Sequence, residues 1–311
     1  MAIGQKYINI TNFLQNCGKD QLKFTFDEVN EICTIPNGAY TKRTQWRNSG
    51  QSFSSSWMNA GYKASTVNVE EQWVEFVRSD EIQANGISAD AANELLDSGL
   101  TCLDEILEDG HHQYRSWEHC YGAFRTPFDG SEERADYLAL QLSWYLGSWG
   151  MIRNSFLQNK DYKIQIPIVK LLMDEKWDEL RGLPSEKLAD EKIAQHILDL
   201  AHEISLCYEK NAGGKPTDTL TTKLLLGTLG CVPAYDRYFK AALRKTGAAS
   251  GTFGKRSLMQ LGGFYRQYQD ELEALRSMCP TDTVEYTQAK VLDICFFGYG
   301  MQQTEKANVT E

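Results

Sequence analysis

The pattern of apolar and polar residues changes along the chain near residue 80. Before it, apolar runs at helical spacing alternate with runs in which every second residue is apolar, which is typical of a small α+β module. Beyond residue 100, apolar residues recur every three or four positions, without a strand pattern. The sequence therefore predicts a mainly α protein: a winged-helix-like α+β module over residues 1–78, an acidic linker over 79–100 and an all-α domain over 101–311.

The N-terminal module is predicted to contain six elements in the order helix, strand, helix, helix, strand, strand. Thr25 and Glu28 have the spacing of a capping box, which would begin the second helix. The other predicted elements are a first helix from Tyr7 to about Gly18, a strand over 22–26, a helix over 52–60, and strands over 66–69 and 72–77. This is the order of a winged helix, in which the helix before the hairpin can enter a DNA major groove.

Cationic, aromatic and hydroxyl side chains gather ahead of the predicted hairpin. Cations neutralise phosphates, aromatic rings stack on bases, and hydroxyls bond phosphates or base edges. The predicted nucleic-acid-binding residues are Lys42, Arg43, Trp46, Arg47, Ser54 and Ser55. In the alternative interpretation, Trp46 and Trp57 belong to the core and the cations form a solvated face, which suits the module's net charge of only +1.

Four segments of this module are similar to a known domain family. They are residues 22–29, 39–46, 57–62 and 74–78. They resemble a small bacterial domain of unknown function that occurs alone or beside nuclease and other DNA-related domains. The likeness covers residues 5–78 and implies a DNA-associated or defence-type context, without an activity. The family usually has two adjacent tryptophans, whereas Gln45 precedes Trp46 here. This difference weakens the hypothesis that an aromatic pair forms a binding platform.

The rest of the chain predicts a series of amphipathic helices. One helical face is formed by Tyr114, Trp117, Tyr121 and Phe124. Ser131 is placed to cap a helix over 132–148 that is apolar nearly all round and is expected to be central and buried. Ser185 is the predicted cap of a helix with an apolar face from Ile193 to Tyr208. A helix is also predicted over 89–96 with Ser88 as its cap, and a pair over 217–229 and 234–245.

One apolar stripe predicts a single long, straight helix. Its residues follow a spacing of three and four, which suits lengthwise packing either within the bundle or across a homodimer. The stripe, a candidate for homo-oligomerisation, consists of Leu258, Leu261, Tyr265, Tyr268, Leu272 and Leu275.

A second resemblance covers the helical region, through residues 114–120, 148–153, 160–163 and 217–239. These segments resemble an uncharacterised bacterial protein family, and the likeness implies no chemistry.

The weak candidates for catalysis are Asp236, Arg153, Glu118 and His119. The segment from Lys223 to Asp236 resembles the hairpin of helical DNA glycosylases, which place an aspartate against the sugar of a flipped base. The glycine spacing is one residue too long, and the aspartate comes too soon. The alternative is a structural ion pair of Asp236 with Arg153 or Arg237. Glu118 and His119 are an acid–base candidate, but adjacent helical residues diverge, so an ordinary surface pair is the alternative.

A set of cations and one tyrosine could line a cleft for an anion, although the sequence does not show that they converge. The set is Arg115, Lys160, Tyr162, Lys163, Lys223 and Arg237.

The charge distribution and the cysteine spacing limit the functions that the sequence allows. The net charge of −10 is carried beyond residue 78, which disfavours long-range attraction of phosphate backbones to the helical domain. The eight cysteines form no Cys-x-x-Cys pair, and no long apolar run or secretory leader occurs. The expectation is a reduced, cytoplasmic protein with no cofactor, metal or membrane partner.

Three functions remain open from the sequence. The leading hypothesis is a bacterial DNA-associated accessory or defence protein, whose N-terminal module contacts nucleic acid or a protein partner. The alternatives are a glycosylase-like enzyme acting on a nucleic acid or nucleotide through the helical domain, and a homo-oligomeric interaction protein without catalysis.

Overall fold

The computed structural model describes residues 7–17, 19, 21–46, 53–58, 60–78 and 87–309. The chain divides into two compact units, residues 1–83 and 84–311. The first contains a small antiparallel sheet and the second is helical, so the predicted fold class is confirmed.

The N-terminal unit has the predicted order of elements. They are α1 (Ile8–Asn16), β1 (Gln21–Thr25), α2 (Phe26–Ile32), α3 (Ser55–Met58), β2 (Tyr62–Asn68) and β3 (Trp73–Arg78), with 3-10 turns at Asn37–Tyr40 and Arg43–Trp46. The predicted capping box begins α2. The strands are antiparallel in the order β1-β3-β2, and β2 begins four residues before its predicted start because Tyr62 already pairs with Arg78.

Two tryptophans hold this unit together. Trp46 stacks on Phe26 at a ring-centroid distance of 4.6 Å and on Trp57 at 5.8 Å. Its indole N–H donates to the carbonyl of Ala39 over 2.9 Å. Both indoles are buried, because they fill the space between the helices and one face of the sheet. The alternative interpretation of these tryptophans as core residues is therefore confirmed.

The second unit is made of ten α-helices in the part that the structure describes. They are α4 (Ala89–Glu108), α5 (Arg115–Arg125), α6 (Glu132–Ser148), α7 (Ile166–Leu172), α8 (Glu191–Ala212), α9 (Asp218–Thr228), α10 (Arg237–Thr246), α11 (Lys255–Gln267), α12 (Gln269–Ser277) and α13 (Gln288–Val309). Short 3-10 helices lie at Tyr162–Gln165, Glu175–Leu180 and Ser185–Ala189.

One helix end and one helix start differ from the sequence prediction. Ser88 caps α4 as expected, but α4 continues to Glu108 and packs on α13, so residues 89–100 belong to the helical unit and not to a linker. Ser185 begins only a 3-10 turn. Helix α8 starts after Asp190, whose carboxylate accepts the N–H of Lys192.

Helix α6 has the predicted bounds and the predicted Ser131 cap, but it is not buried on all sides. Trp144 is 68% exposed, and Tyr137 and Leu140 lie on the same open face. The expectation of a fully buried helix is wrong, because an apolar composition does not decide how many sides a helix has covered.

The stripe proposed for homo-oligomerisation lies inside the unit. The chain turns at Tyr268, where α11 ends and α12 begins, so the predicted single straight helix is two helices. Leu258, Leu261 and Leu272 are fully buried within the core of their own unit. A dimer through this stripe is contradicted, because the unit's own core already covers its leucines.

Helix α13 approaches its neighbours through glycines. A β-carbon at Gly300 would lie 2.0 Å from the carbonyl oxygen of Tyr238, and one at Gly298 would lie 2.9 Å from that of Ser98. Because neither glycine has a side chain, α13 can pack closely on α10 and α4. Among the described residues, no helix is both long and apolar enough to cross a membrane.

A candidate ligand cavity in the helical unit

A cavity of about 590 Å³ opens where six helices of the second unit end or cross. Its lining comes from the end of α4, the starts of α5 and α10, the end of α6, and the middles of α9 and α13. The volume lies in the range of small-molecule sites in proteins, roughly 300–1,000 Å³.

Four aromatic side chains form one continuous part of the wall. Tyr114 lies 5.3 Å from Trp149, and Phe297 contacts both of these rings edge-on at 5.8 Å. Tyr238 joins the cluster through Phe297 at 5.2 Å. The indole N–H of Trp149 donates to the hydroxyl of Ser116, which fixes the ring. Such a wall offers both faces and edges for stacking of a flat ring.

Lys223 brings a buried charge to this wall. Thr217 caps α9, which is buried on nearly every side, and the side chain of Lys223 is only 5% exposed. Its ammonium lies 3.3 Å from Oδ2 of Asp236 and 4.4 Å from the centre of the Trp149 ring. An ammonium carries three N–H donors, and these two contacts do not use all of them. Lys223 therefore retains donor capacity at the cavity wall.

Asp236 is held by the start of α10. Its Oδ1 accepts the N–H groups of Tyr238 and Phe239, each over 3.0 Å, while Oδ2 accepts from Lys223. The prediction that Asp236 forms an ion pair with Arg153 or Arg237 is therefore wrong. The carboxylate caps the helix and orients the lysine, so both of its oxygens have partners.

A second buried ion pair lies behind the aromatic wall. Lys290 and Asp293 are 3.1 Å apart, and the Lys290 ammonium faces the rings of Tyr114 and Trp149 at 5.3 and 6.0 Å. Asp293 also accepts the N–H of Ala234 over 3.0 Å. Sequence reasoning missed this pair, although two opposite charges three residues apart in an apolar helix were a usable signal.

Burial raises the pKa of Tyr114 in this wall and of Tyr145 next to it. It raises the pKa of Tyr114 far above its ordinary value, and the nearby Cys102 and Asp293 add to the shift. The pKa of Tyr145, next to this cluster, is raised for the same main reason. The neutral phenol of Tyr114 is therefore favoured over its phenolate.

The predicted anion cleft does not form as a set. Lys223 and Arg237 line the cavity, but the other four members do not. Arg115 pairs with Glu118 at 3.2 Å. Tyr162 and Lys163 both contact Asp136. Lys160 is exposed elsewhere on the surface. The prediction of a cleft lined by all six residues is wrong, because they lie on elements that diverge in space.

The remaining catalytic candidates are also apart. Glu118 is buried and accepts the hydroxyl hydrogen of Tyr286 over 2.6 Å, whereas His119 points to solvent on the other side of α5. The two therefore form neither an acid–base pair nor a surface pair. Arg153 is exposed and does not line the cavity. Of the four candidates, Asp236 alone contributes to it.

The nucleic-acid candidates of the first unit divide in a similar way. Trp46 and Ser54 are buried, so the first cannot stack on a base and the second cannot reach a phosphate. Lys42 and Arg43 are exposed, and neither forms an ion pair with another described residue. Arg47 and the side chain of Ser55 lie outside the described residues. Within the described part of the chain, no group of histidine, cysteine or acidic side chains could hold a metal ion.

Comparison with known proteins gives one finding. Residues 7–79 match a domain of unknown function (DUF7662). The predicted resemblance of the N-terminal unit to a domain of unknown function is therefore confirmed. The chain matches no curated protein and no solved structure.

Proposed function

We propose that the helical unit binds a ligand that contains a nucleobase, and that the ring of that base enters the aromatic cavity. The observation that carries this proposal is the placement of Lys223. Its ammonium is buried, touches the face of Trp149 and keeps donor capacity at the cavity wall. A flat ring with carbonyl or ring-nitrogen acceptors satisfies both the aromatic surface and this donor.

The pairing of Lys223 with Asp236 favours a neutral ring at this depth over a bare anion. The two charges cancel where the wall is buried, so little net positive charge is left to offset the desolvation of a second negative group. A neutral heteroaromatic ring avoids that cost and still accepts an N–H from the lysine. Nucleobases have this combination of flatness, neutrality and acceptor atoms.

A buried ion pair is also a weak way to stabilise a fold. Replacing such a pair with well-packed apolar residues is often neutral or stabilising. The placement of the Lys223–Asp236 pair on a cavity wall therefore supports a role in ligand recognition. Binding is favoured over glycosylase-like catalysis, because the hydrogen bonds of Asp236 leave neither of its oxygens unpartnered.

Tryptophan fluorescence tests this proposal. Trp149 lines the cavity, whereas Trp144 lies five residues earlier and is exposed to solvent. Titration with AMP, GMP, CMP and UMP is expected to quench wild-type fluorescence saturably for at least one of them. The quenching should be lost in Trp149→Phe and kept in Trp144→Phe. The absence of saturable quenching with all four, or its persistence in Trp149→Phe, would overturn the proposal.

A second candidate function concerns the N-terminal unit. We propose that it is a winged-helix module that contacts nucleic-acid phosphates through Lys42 and Arg43. Its element order and the strand order β1-β3-β2 are consistent with this fold, and the two cations are exposed without ion pairs among the described residues. Because the hydroxyl of Ser56 in α3 is turned to the carbonyl of Phe53, and Ser54 is buried, backbone contact is favoured over base reading by this helix.

Fluorescence anisotropy with labelled duplex DNA at low salt tests the second candidate. The Lys42→Ala/Arg43→Ala variant is expected to weaken binding, because two phosphate contacts are removed, and to make the salt dependence shallower. A matched control is Lys187→Ala/Lys192→Ala, which removes two exposed cations from the helical unit. No binding by the wild type, or equal losses in both variants, would contradict this role.

A further inference from the structure

Arg237 stands out among the residues that line the cavity. It is the first residue of α10, directly after Asp236, and its side chain is exposed to solvent while the neighbouring Lys223 is buried. The cavity therefore has one cation on its buried wall and another at its open part.

The guanidinium of Arg237 is held in place without being neutralised. It stacks on the ring of Tyr238 at 4.3 Å and donates one N–H to the hydroxyl of that tyrosine. Among the described residues, no carboxylate pairs with it, in contrast to Arg115, Arg181 and Arg276. A guanidinium carries five N–H donors, so most of those of Arg237 have no protein acceptor. A preorganised, unpaired guanidinium is suited to the oxygens of a phosphate.

We infer that Arg237 binds the phosphate of a nucleoside monophosphate whose base lies at Trp149 and Lys223. This inference rests on the proposed function and adds the orientation and the charge of the ligand to it. The base would point inward and the phosphate toward solvent, because the neutral part of the ligand loses less hydration when it is buried.

The surroundings of Arg237 favour one phosphate over a chain of several. The next cation on the same face of α10, Lys240, is already 3.8 Å from Asp218. Glu105 also lines the cavity, and it would repel further phosphates. The chain as a whole carries a net charge of −10. A triphosphate would therefore find one guanidinium for its several charges and no second unpaired cation among the lining residues.

Isothermal titration calorimetry with matched ligands tests this inference. For each of the four common bases, the nucleoside, the monophosphate and the triphosphate are titrated into the wild type, Arg237→Gln and Arg244→Gln. Arg244 is exposed two turns further along α10 and does not line the cavity, so it is the matched control.

For the base that binds, the monophosphate is expected to bind the wild type roughly 10- to 100-fold more tightly than the nucleoside, as a hydrogen bond to a charged group typically provides. Arg237→Gln should abolish this difference, so that nucleoside and monophosphate bind the variant with affinities within about twofold of each other. Arg244→Gln should retain it.

Two results overturn the inference while leaving the proposed function intact. The first is a wild type that binds nucleoside and monophosphate equally well. The second is an Arg237→Gln variant in which the advantage of the monophosphate persists. A triphosphate that binds more tightly than the monophosphate would contradict the single-phosphate assignment. Failure of all twelve ligands to bind the wild type would contradict the inference and the proposed function together.

Discussion

Lys290 and Asp293 lie one turn apart on α13 and form an ion pair of 3.1 Å in which both side chains are more than nine-tenths buried. The pair sits behind the aromatic wall of the cavity, where the lysine faces Trp149 and the aspartate holds the backbone of Ala234. It thus connects α13, the end of α6 and the segment that leads into α10. The cavity wall depends on the charges behind it as well as on the rings that form it.

Removal of one member of this pair is expected to destabilise the helical unit strongly. Lys290→Met leaves the Asp293 carboxylate buried without its cation, which typically costs about 3–5 kcal/mol. The double variant Lys290→Met/Asp293→Asn keeps an acceptor for Ala234 and buries no charge, so it should be more stable than the single variant. Urea unfolding followed by far-ultraviolet circular dichroism measures both. A single variant as stable as wild type would contradict this account of the wall.

Gly300 is expected to tolerate no side chain. Because a β-carbon there would lie 2.0 Å from the Tyr238 carbonyl oxygen, Gly300→Ala must push α13 away from α10, at a cost of roughly 1–3 kcal/mol. Gly263→Ala is the control, since a β-carbon at that position in α11 meets nothing within 4 Å. The control should be neutral or stabilising by up to about 1 kcal/mol, because alanine favours helix more than glycine does. Equal melting temperatures for the two variants would contradict the close approach.

The stability contribution of Glu273 is expected to depend on pH. Burial of this carboxyl raises its pKa, but hydrogen bonds from Tyr265, Arg276 and Gln288 outweigh that effect, so the pKa lies below its ordinary value of 4.5. The ionised form therefore stabilises the folded state above pH 4.5, and the contribution is lost as the pH falls through the lowered pKa.

Melting temperatures between pH 7 and pH 3 test this sign. Glu273→Gln should melt below wild type at pH 7, and the difference should shrink as the pH falls. Glu271→Gln, an exposed neighbour on α12, should show no such trend. A deficit of Glu273→Gln that is constant with pH would show that the charge of this carboxylate does not matter.

The leucines of the stripe from Leu258 to Leu275 are expected to stabilise the fold of the helical unit and not to join two copies of the chain. Leu272 is fully buried, so Leu272→Ala should cost about 2–5 kcal/mol. Leu206 is half exposed on α8, and Leu206→Ala should cost less than about 0.5 kcal/mol. Sedimentation velocity should give the same mass for both variants and the wild type. A change of mass with Leu272→Ala would restore the role of the stripe in assembly.

Local signals in the sequence predicted much of the fold. The capping box at Thr25 and the hydroxyl cap at Ser131 each mark a helix start that the structure confirms. These signals succeed because a cap is a contact between residues two or three positions apart. The stripe from Leu258 to Leu275 misled, because an apolar periodicity shows that a face is covered and does not show by what.

The candidate site was less accessible to prediction. The sequence marks Lys223, Asp236 and Arg237 as candidates, but it predicts an arginine as the ion-pair partner of Asp236, whereas the structure has Lys223 there. Trp149 and Phe297 come from helices far apart in the chain, and no local pattern shows that their rings meet. The meeting of these rings depends on tertiary packing, as does the close approach of Gly300 to the backbone of Tyr238.

Equilibrium dialysis of the 311-residue chain against a labelled nucleoside monophosphate tests the central claim most directly. Wild type is expected to bind one nucleotide per chain saturably. Lys223→Met should lose about tenfold or more in affinity, because the base loses a hydrogen bond from a charged donor. The variant Lys223→Met/Asp236→Asn, which buries no unpaired charge, should show the same loss if the lysine acts on the ligand. No saturable binding of any of the four common monophosphates at millimolar concentration, or unchanged affinity in both variants, would contradict the account.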